Sequence, residues 1–137
     1  MTLKSIVLEL ARNPGAPQGD RGARYEFRAP LKPDGAFDAD AWAGVQNLCV
    51  VRRFEAGEEV ETGLLIRSRG GRFVFSYAPG DADDEPVFRF ASHRFIPGEY
   101  ITVTEHDGVA RTFRVAAVAD WSPESGLRKA SGAVRSH

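Results

Sequence analysis

The stretch Leu64–Tyr77, LLIRSRGGRFVFSY, decides the fold. A two-residue turn at Gly70-Gly71 sets Ile66 opposite Phe75 and Leu64 opposite Tyr77, so the large apolar side chains of both strands share one face. The same register places Arg69 opposite Arg72, with Arg67 on the outer face, and predicts a locally basic hairpin tip. A second hairpin lies in Tyr100–Val118, YITVTEHDGVARTFRVAAV. A two-residue turn at Asp107-Gly108 would split its apolar faces, whereas a three-residue loop with Gly108 in the left-handed region pairs Ile101 with Phe113. The three-residue loop is therefore expected. Pro97-Gly98, just ahead of this hairpin, suits the two central positions of a type II turn.

Outward from these hairpins the chain continues in short strands. Ile6, Leu8 and Leu10 alternate with polar residues, the period of a half-buried strand, and Tyr25 and Phe27 alternate with Glu26 and Arg28 until Pro30 ends the run. Between them, Arg12–Gly22 is rich in Pro and Gly and reads as a mobile or binding loop. Asp38 can cap a short helix through Ala39, Ala41 and Val45, with Phe37 stapled against Trp42 and Gly44 weakening it. A short strand at Val87–Phe90 brings the count to about eight. With one short helix and no repeated crossover helices, the expectation is a mainly β fold, an antiparallel small barrel or rolled sheet. Residues 1–121 form this single domain, and 122–137, rich in Ser, Gly, Lys and Arg, read as a disordered tail.

Composition narrows the function. At 137 residues the chain is long enough to bury a core. A formal charge of −1 gives no global field for nucleic acid or anionic lipid. Cys49 is the only cysteine, which excludes an internal disulfide and a multi-cysteine zinc site. The short apolar run Ile6–Leu10 is too brief for a signal sequence or a membrane span, so a cytoplasmic, soluble protein is expected. No phosphate-binding Gly-rich loop, dinucleotide fingerprint, metalloprotease helix or nucleophile elbow occurs, and no cofactor is expected. The acidic run Asp81, Asp83, Asp84, Glu85 has Pro86 where a calcium loop needs glycine and Ser92 where it needs glutamate, and reads as a solvated loop. His106, between Glu105 and Asp107, reads as an exposed turn residue. Ser92 and His93 are strand neighbours on opposite faces and make no catalytic pair.

Arg52 is the first site candidate. If Leu48, Val50 and Phe54 face the core, Arg52 shares that inward face opposite Thr62, where an unpaired charge costs several kcal/mol. A structural carboxylate or an anionic ligand would answer it. Arg67, Arg69 and Arg72, with aromatics such as Tyr25, Tyr77 and Tyr100, offer a nucleic-acid alternative.

Two resemblances add to this. Pro97–Phe113, PGEYITVTEHDGVARTF, resembles the flavin-binding barrel of ferredoxin-reductase-type enzymes. That resemblance implies flavin contacts from Tyr100, Arg111 and Phe113, although Arg114 stands where that family has serine and no nucleotide domain follows. The segments KSIVLELARNPG (4–15), YEFRAPL (25–31) and PGEY (97–100) are similar to small bacterial proteins of no assigned function. This implies a free-standing bacterial domain and supplies no site residues. The combined expectation is a non-enzymatic binding or interaction module for a small anionic ligand, a peptide or a protein, with a flavin-binding oxidoreductase-like barrel and a nucleic-acid-binding β domain as alternatives.

Overall fold

The computed structural model describes residues 3–77 and 84–121. The tail expectation for 122–137, and Asp81 and Asp83 of the acidic run, lie outside the described residues. The strands are β1 Leu3–Leu10, β2 Asp20–Pro30, β3 Val50–Glu55, β4 Glu58–Arg67, β5 Phe73–Ser76, β6 Glu85–Pro86, β7 Tyr100–Thr104 and β8 Ala110–Trp121, with a one-turn helix α1 at Ala39–Ala43. They form a single sheet in the order β6-β5-β4-β3-β2-β1-β8-β7, antiparallel throughout. Consecutive strands are thus paired except β6 and β7, which stand at the two ends of the order, and β8 returns to β1.

The sheet rolls into a nearly closed barrel. Among the described residues the ring is joined between β6 and β7 by a single bridge, Val87 to Val103, next to a Phe88 N–H that donates to the Thr102 carbonyl at 2.8 Å. Inside, Ile6, Leu8, Tyr25, Phe27, Val51, Leu65, Phe75, Val103, Phe113 and Val115 are buried. No helix among the described residues is long and apolar enough to cross a membrane.

The meander places the β2–β3, β4–β5 and β6–β7 connections at one end. That end is plugged by aromatic side chains: Phe37 and Trp42 both stack edge-on against Phe73, and Phe90 packs on Phe37 and Phe95. Asp38 caps α1 as expected, its carboxylate accepting from the Ala41 N–H at 3.1 Å. The expected contact of Phe37 with Trp42 is made through Phe73. Trp42 Nε1–H donates to the Leu65 carbonyl at 3.0 Å, which satisfies the indole where it is buried.

The second hairpin forms as expected, with Ile101 opposite Phe113 and Gly108 at φ +82°. The Pro97-Gly98 turn also forms, with Gly98 at φ +97° and the Glu99 N–H donating to the Ile96 carbonyl at 3.0 Å. The first hairpin differs. Ser68 N–H donates to the Arg72 carbonyl at 2.8 Å, and Gly71 alone takes the left-handed conformation, φ +81°. The loop is therefore Arg69-Gly70-Gly71, three residues as in the second hairpin. One extra loop residue shifts the register by one and turns the side chains of β4 to the other face, while Phe75 keeps its inward place. Leu65 faces Phe75 inside, Ile66 faces Val74, and Leu64 lies outside beside Ser76. Arg72 faces Ser68 rather than Arg69.

Two further segments depart from expectation. The loop after β1 covers only 11–19, and Asn13 ties it to β8 by accepting from the Thr112 N–H at 3.0 Å and donating to the Thr112 carbonyl at 2.9 Å. The strand expected at Val87–Phe90 stops at the Val87 bridge. Arg89 turns left-handed, φ +51°, and a 3-10 turn at Phe90–Ser92 carries Phe90 into the aromatic plug.

Candidate functional site

The opposite end of the barrel is polar. Tyr25 points inward from β2, its ring resting on Phe75 and Phe113 at centroid distances of 5.0 and 5.1 Å. Arg53 pairs with Tyr25 from β3 and so shares its inward face. Glu85 on β6, Glu105 at the end of β7 and Arg111 at the start of β8 complete the ring, and Tyr77 enters from the end of β5. Gly63 makes room for this last residue. A Cβ there would sit 2.0 Å from the Ser76 carbonyl oxygen and 2.8 Å from Tyr77 Cα, so only glycine lets the chain after β5 pass this close to β4.

Glu85 is fully buried and answered from several sides. Its Oε1 accepts from the Tyr77 hydroxyl at 2.7 Å and lies 2.9 Å from the Tyr25 hydroxyl. Its Oε2 accepts from the His106 backbone N–H at 3.0 Å and lies 3.1 Å from the ring Nδ1. Glu105 takes Tyr25 at 2.6 Å and Arg111 at 2.8 Å, and Arg111 also holds Asp107. The buried carboxylates are thus hydrogen-bonded, the condition for a charge to persist away from water. Burial, reinforced by Glu85, pushes the hydroxyls of Tyr25 and Tyr77 far above the ordinary tyrosine range. At Arg53 burial opposes the charge, but Tyr25, Glu85, Glu55 and Glu105 outweigh it and raise its pKa. The Val109 N–H holds the exposed Asp107 below the usual carboxylate range, with help from Arg111.

Arg53 is the loosest member. Its side chain is 12% exposed, yet among the described residues it donates one hydrogen bond, to Glu55 at 3.5 Å. Glu61, Glu85 and Glu105 stand 3.8, 3.8 and 3.6 Å away. A cleft of about 240 Å³ opens above it, lined in charge by Arg24, Arg53, Arg111, Glu55, Glu105 and Asp107, with Leu10, Phe54 and Phe113 as its apolar part.

The residues singled out from sequence fall elsewhere. Arg52 does pair with Thr62, but on the outer face: its side chain is 46% exposed and bridges Glu26 at 3.0 Å and Glu59 at 3.6 Å. The inward arginine is its neighbour, because the one-residue shift that inverted β4 inverts β3 with it. Arg67 lies over Trp42 and Phe73 at the plugged end, with Arg69 and Arg72 exposed at the hairpin tip beyond. Tyr100 is exposed on the outer face opposite Arg114, Arg111 sits at the polar rim, and Phe113 is in the core. These three share no common surface on which a flavin ring could lie.

Sequence reading missed Arg53, Glu85 and Glu105. Glu85, expected in a solvated acidic loop, is buried; His106 is the exposed turn residue expected, and from that turn its backbone N–H and ring meet Glu85. The available signal was the pairing rule itself: buried Tyr25 and Tyr77 hydroxyls require acceptors, and Glu85 begins the strand after Tyr77. Among the described residues no group of three or more His, Cys, Asp and Glu side chains is placed to hold a metal ion. Compared with family models, curated proteins and solved structures, the chain matches none.

Proposed function

We propose that the protein is a non-enzymatic binding module whose barrel mouth takes a small zwitterion, a free amino acid or a molecule of similar size and charge. The observation that carries this reading is Arg53, an inward and mostly buried guanidinium whose contacts all lie at 3.5 Å or beyond. Charge-assisted hydrogen bonds normally close to about 2.7–2.9 Å, so its donors are under-used and suit the bidentate grip of a carboxylate.

The rest of the lining selects the second charge. Three arginines face three carboxylates around the cleft. Arg111 already answers Glu105 and Asp107, but a simple anion bound at Arg53 would compete with Glu55, whose one ion pair among the described residues is with Arg53, and an added ammonium group compensates that carboxylate. The volume lies below the roughly 300–1,000 Å³ of sites for drug-sized molecules, and Leu10, Phe54 and Phe113 offer a short apolar contact.

Calorimetric titration and thermal shift with free amino acids test this, alongside their N-acetylated and C-amidated forms. Binding only to the folded protein raises its melting temperature. The zwitterions should stabilise the protein, both blocked forms should lose most of the effect, and Arg53→Lys should weaken binding at least tenfold. Equal binding of the blocked forms, or no response to any amino acid, would overturn the reading.

A further inference from the structure

The seam between β6 and β7 carries a second surface. Two clefts of about 450 and 350 Å³ meet along it, both lined by Phe88 and Arg89. The first reaches Arg72 and Phe90, the second His93, Tyr100 and Thr102. Phe88 and Tyr100 are 61% and 58% exposed, among the largest exposures of apolar side chains among the described residues. Among the described residues no acidic side chain lines either cleft, and Arg72 and Arg89 make no ion pair.

The backbone is open at the same place. Glu99 carbonyl accepts from the Val115 N–H and Glu105 N–H donates to the Val109 carbonyl, so odd-numbered residues of β7 turn their backbone groups to β8. By strand alternation Tyr100 and Thr102 turn theirs to the seam, where among the described residues only the Thr102 carbonyl is taken, by Phe88. The left-handed Arg89, a conformation that side-chain-bearing residues rarely adopt, turns the chain away, and among the described residues this stretch of β7 has no neighbouring strand on that side.

We propose that this groove binds an extended acidic segment of another protein, added as a strand beside Tyr100–Thr102. Its backbone pairs with β7, an aromatic or aliphatic side chain packs on Phe88, and its carboxylates meet Arg72 and Arg89. Edge addition of this kind draws affinity from main-chain bonds and specificity from alternate side chains. The groove is separate from the mouth cleft and does not depend on what binds there.

The probes are fluorescein-labelled nonapeptides alternating Glu with Phe and Val, and the same peptides with Lys in place of Glu. Fluorescence anisotropy should show saturable binding of the Glu peptide and at least tenfold weaker binding of the Lys peptide. Arg72→Glu should reverse that preference, and Arg72→Glu with Arg89→Glu should do so more strongly. Amide shifts on binding should centre on Phe88, Tyr100 and Thr102. Arg72 is on the exposed tip, so its single variant decides the question even if the double variant does not fold. No binding, equal binding of both peptides, an unchanged preference in Arg72→Glu, shifts centred elsewhere, or self-association through this edge in sedimentation would each overturn the proposal.

Discussion

A single hydroxyl illustrates how tightly the mouth is specified. Tyr77 gives the fully buried Glu85 its shortest hydrogen bond, 2.7 Å. Tyr77→Phe should therefore cost about 1–3 kcal/mol in urea denaturation, the penalty of leaving a buried acceptor short of a donor. A loss below about 0.5 kcal/mol would show that water replaces the hydroxyl. Gly63→Ala should destabilise by about 1–3 kcal/mol or more, because the new Cβ meets backbone rather than a side chain able to move. At this scale the sequence was legible where a residue type admits one reading, as with Asp38 and the Pro97-Gly98 turn. It was not legible for Glu85, whose burial depends on Tyr25 and Arg53 arriving from two distant strands and His106 from the turn between β7 and β8.

Between residues and barrel lies the hairpin. The Leu64–Tyr77 and Tyr100–Val118 hairpins both use three-residue loops, and the reading that compared apolar faces succeeded for Ile101 and Phe113. It failed for Leu64–Tyr77, because Leu64, Leu65 and Ile66 are all apolar and the sequence offers no parity there. Arg52 was misplaced by the same slip, since its inward assignment rested on the partner strand. The tight turn between β3 and β4 holds Ala56 at φ +51° and Gly57 at φ +80°. A side-chain-bearing residue pays roughly 1–2 kcal/mol in the left-handed region, with Asn the best tolerated. Ala56→Asn should raise stability by about 0.5–1 kcal/mol, read as a higher urea midpoint at unchanged slope. The seam should open before the rest of the sheet. The Phe88 amide is expected to exchange through local opening, while the amides joining β1 to β8 wait for global unfolding; equal protection would contradict this.

For the molecule as a whole, buried titratable groups set limits on both sides of neutrality. Burial lowers the pKa of His93, opposed by Glu99, so the unfolded chain binds the proton more readily. That contribution to stability is present above about pH 6.5 and is lost as pH falls through it. The raised hydroxyls of Tyr25 and Tyr77 act in the opposite sense: their contribution is present below about pH 10 and is lost as pH rises above it. Melting temperature against pH should therefore fall at both ends. His93→Gln should flatten the acid limb and Tyr77→Phe the alkaline one, and unchanged limbs would assign them to other groups.

The closure of β8 on β1 has a consequence in time. Every residue from Leu3 to Leu10 is paired with β8, as far as Leu3 with Trp121. While the chain emerges from the ribosome, β1 must wait for its partner until nearly the last described residue has been made. Folding dominated by such distant pairings falls in the millisecond-to-second range, and until then one flank of the growing sheet stays open to other chains. Paired with β2 on one side, β1 is thus left with its other edge unsecured until β8 is made, which makes the nascent protein a natural client for chaperones that shield unpaired strands.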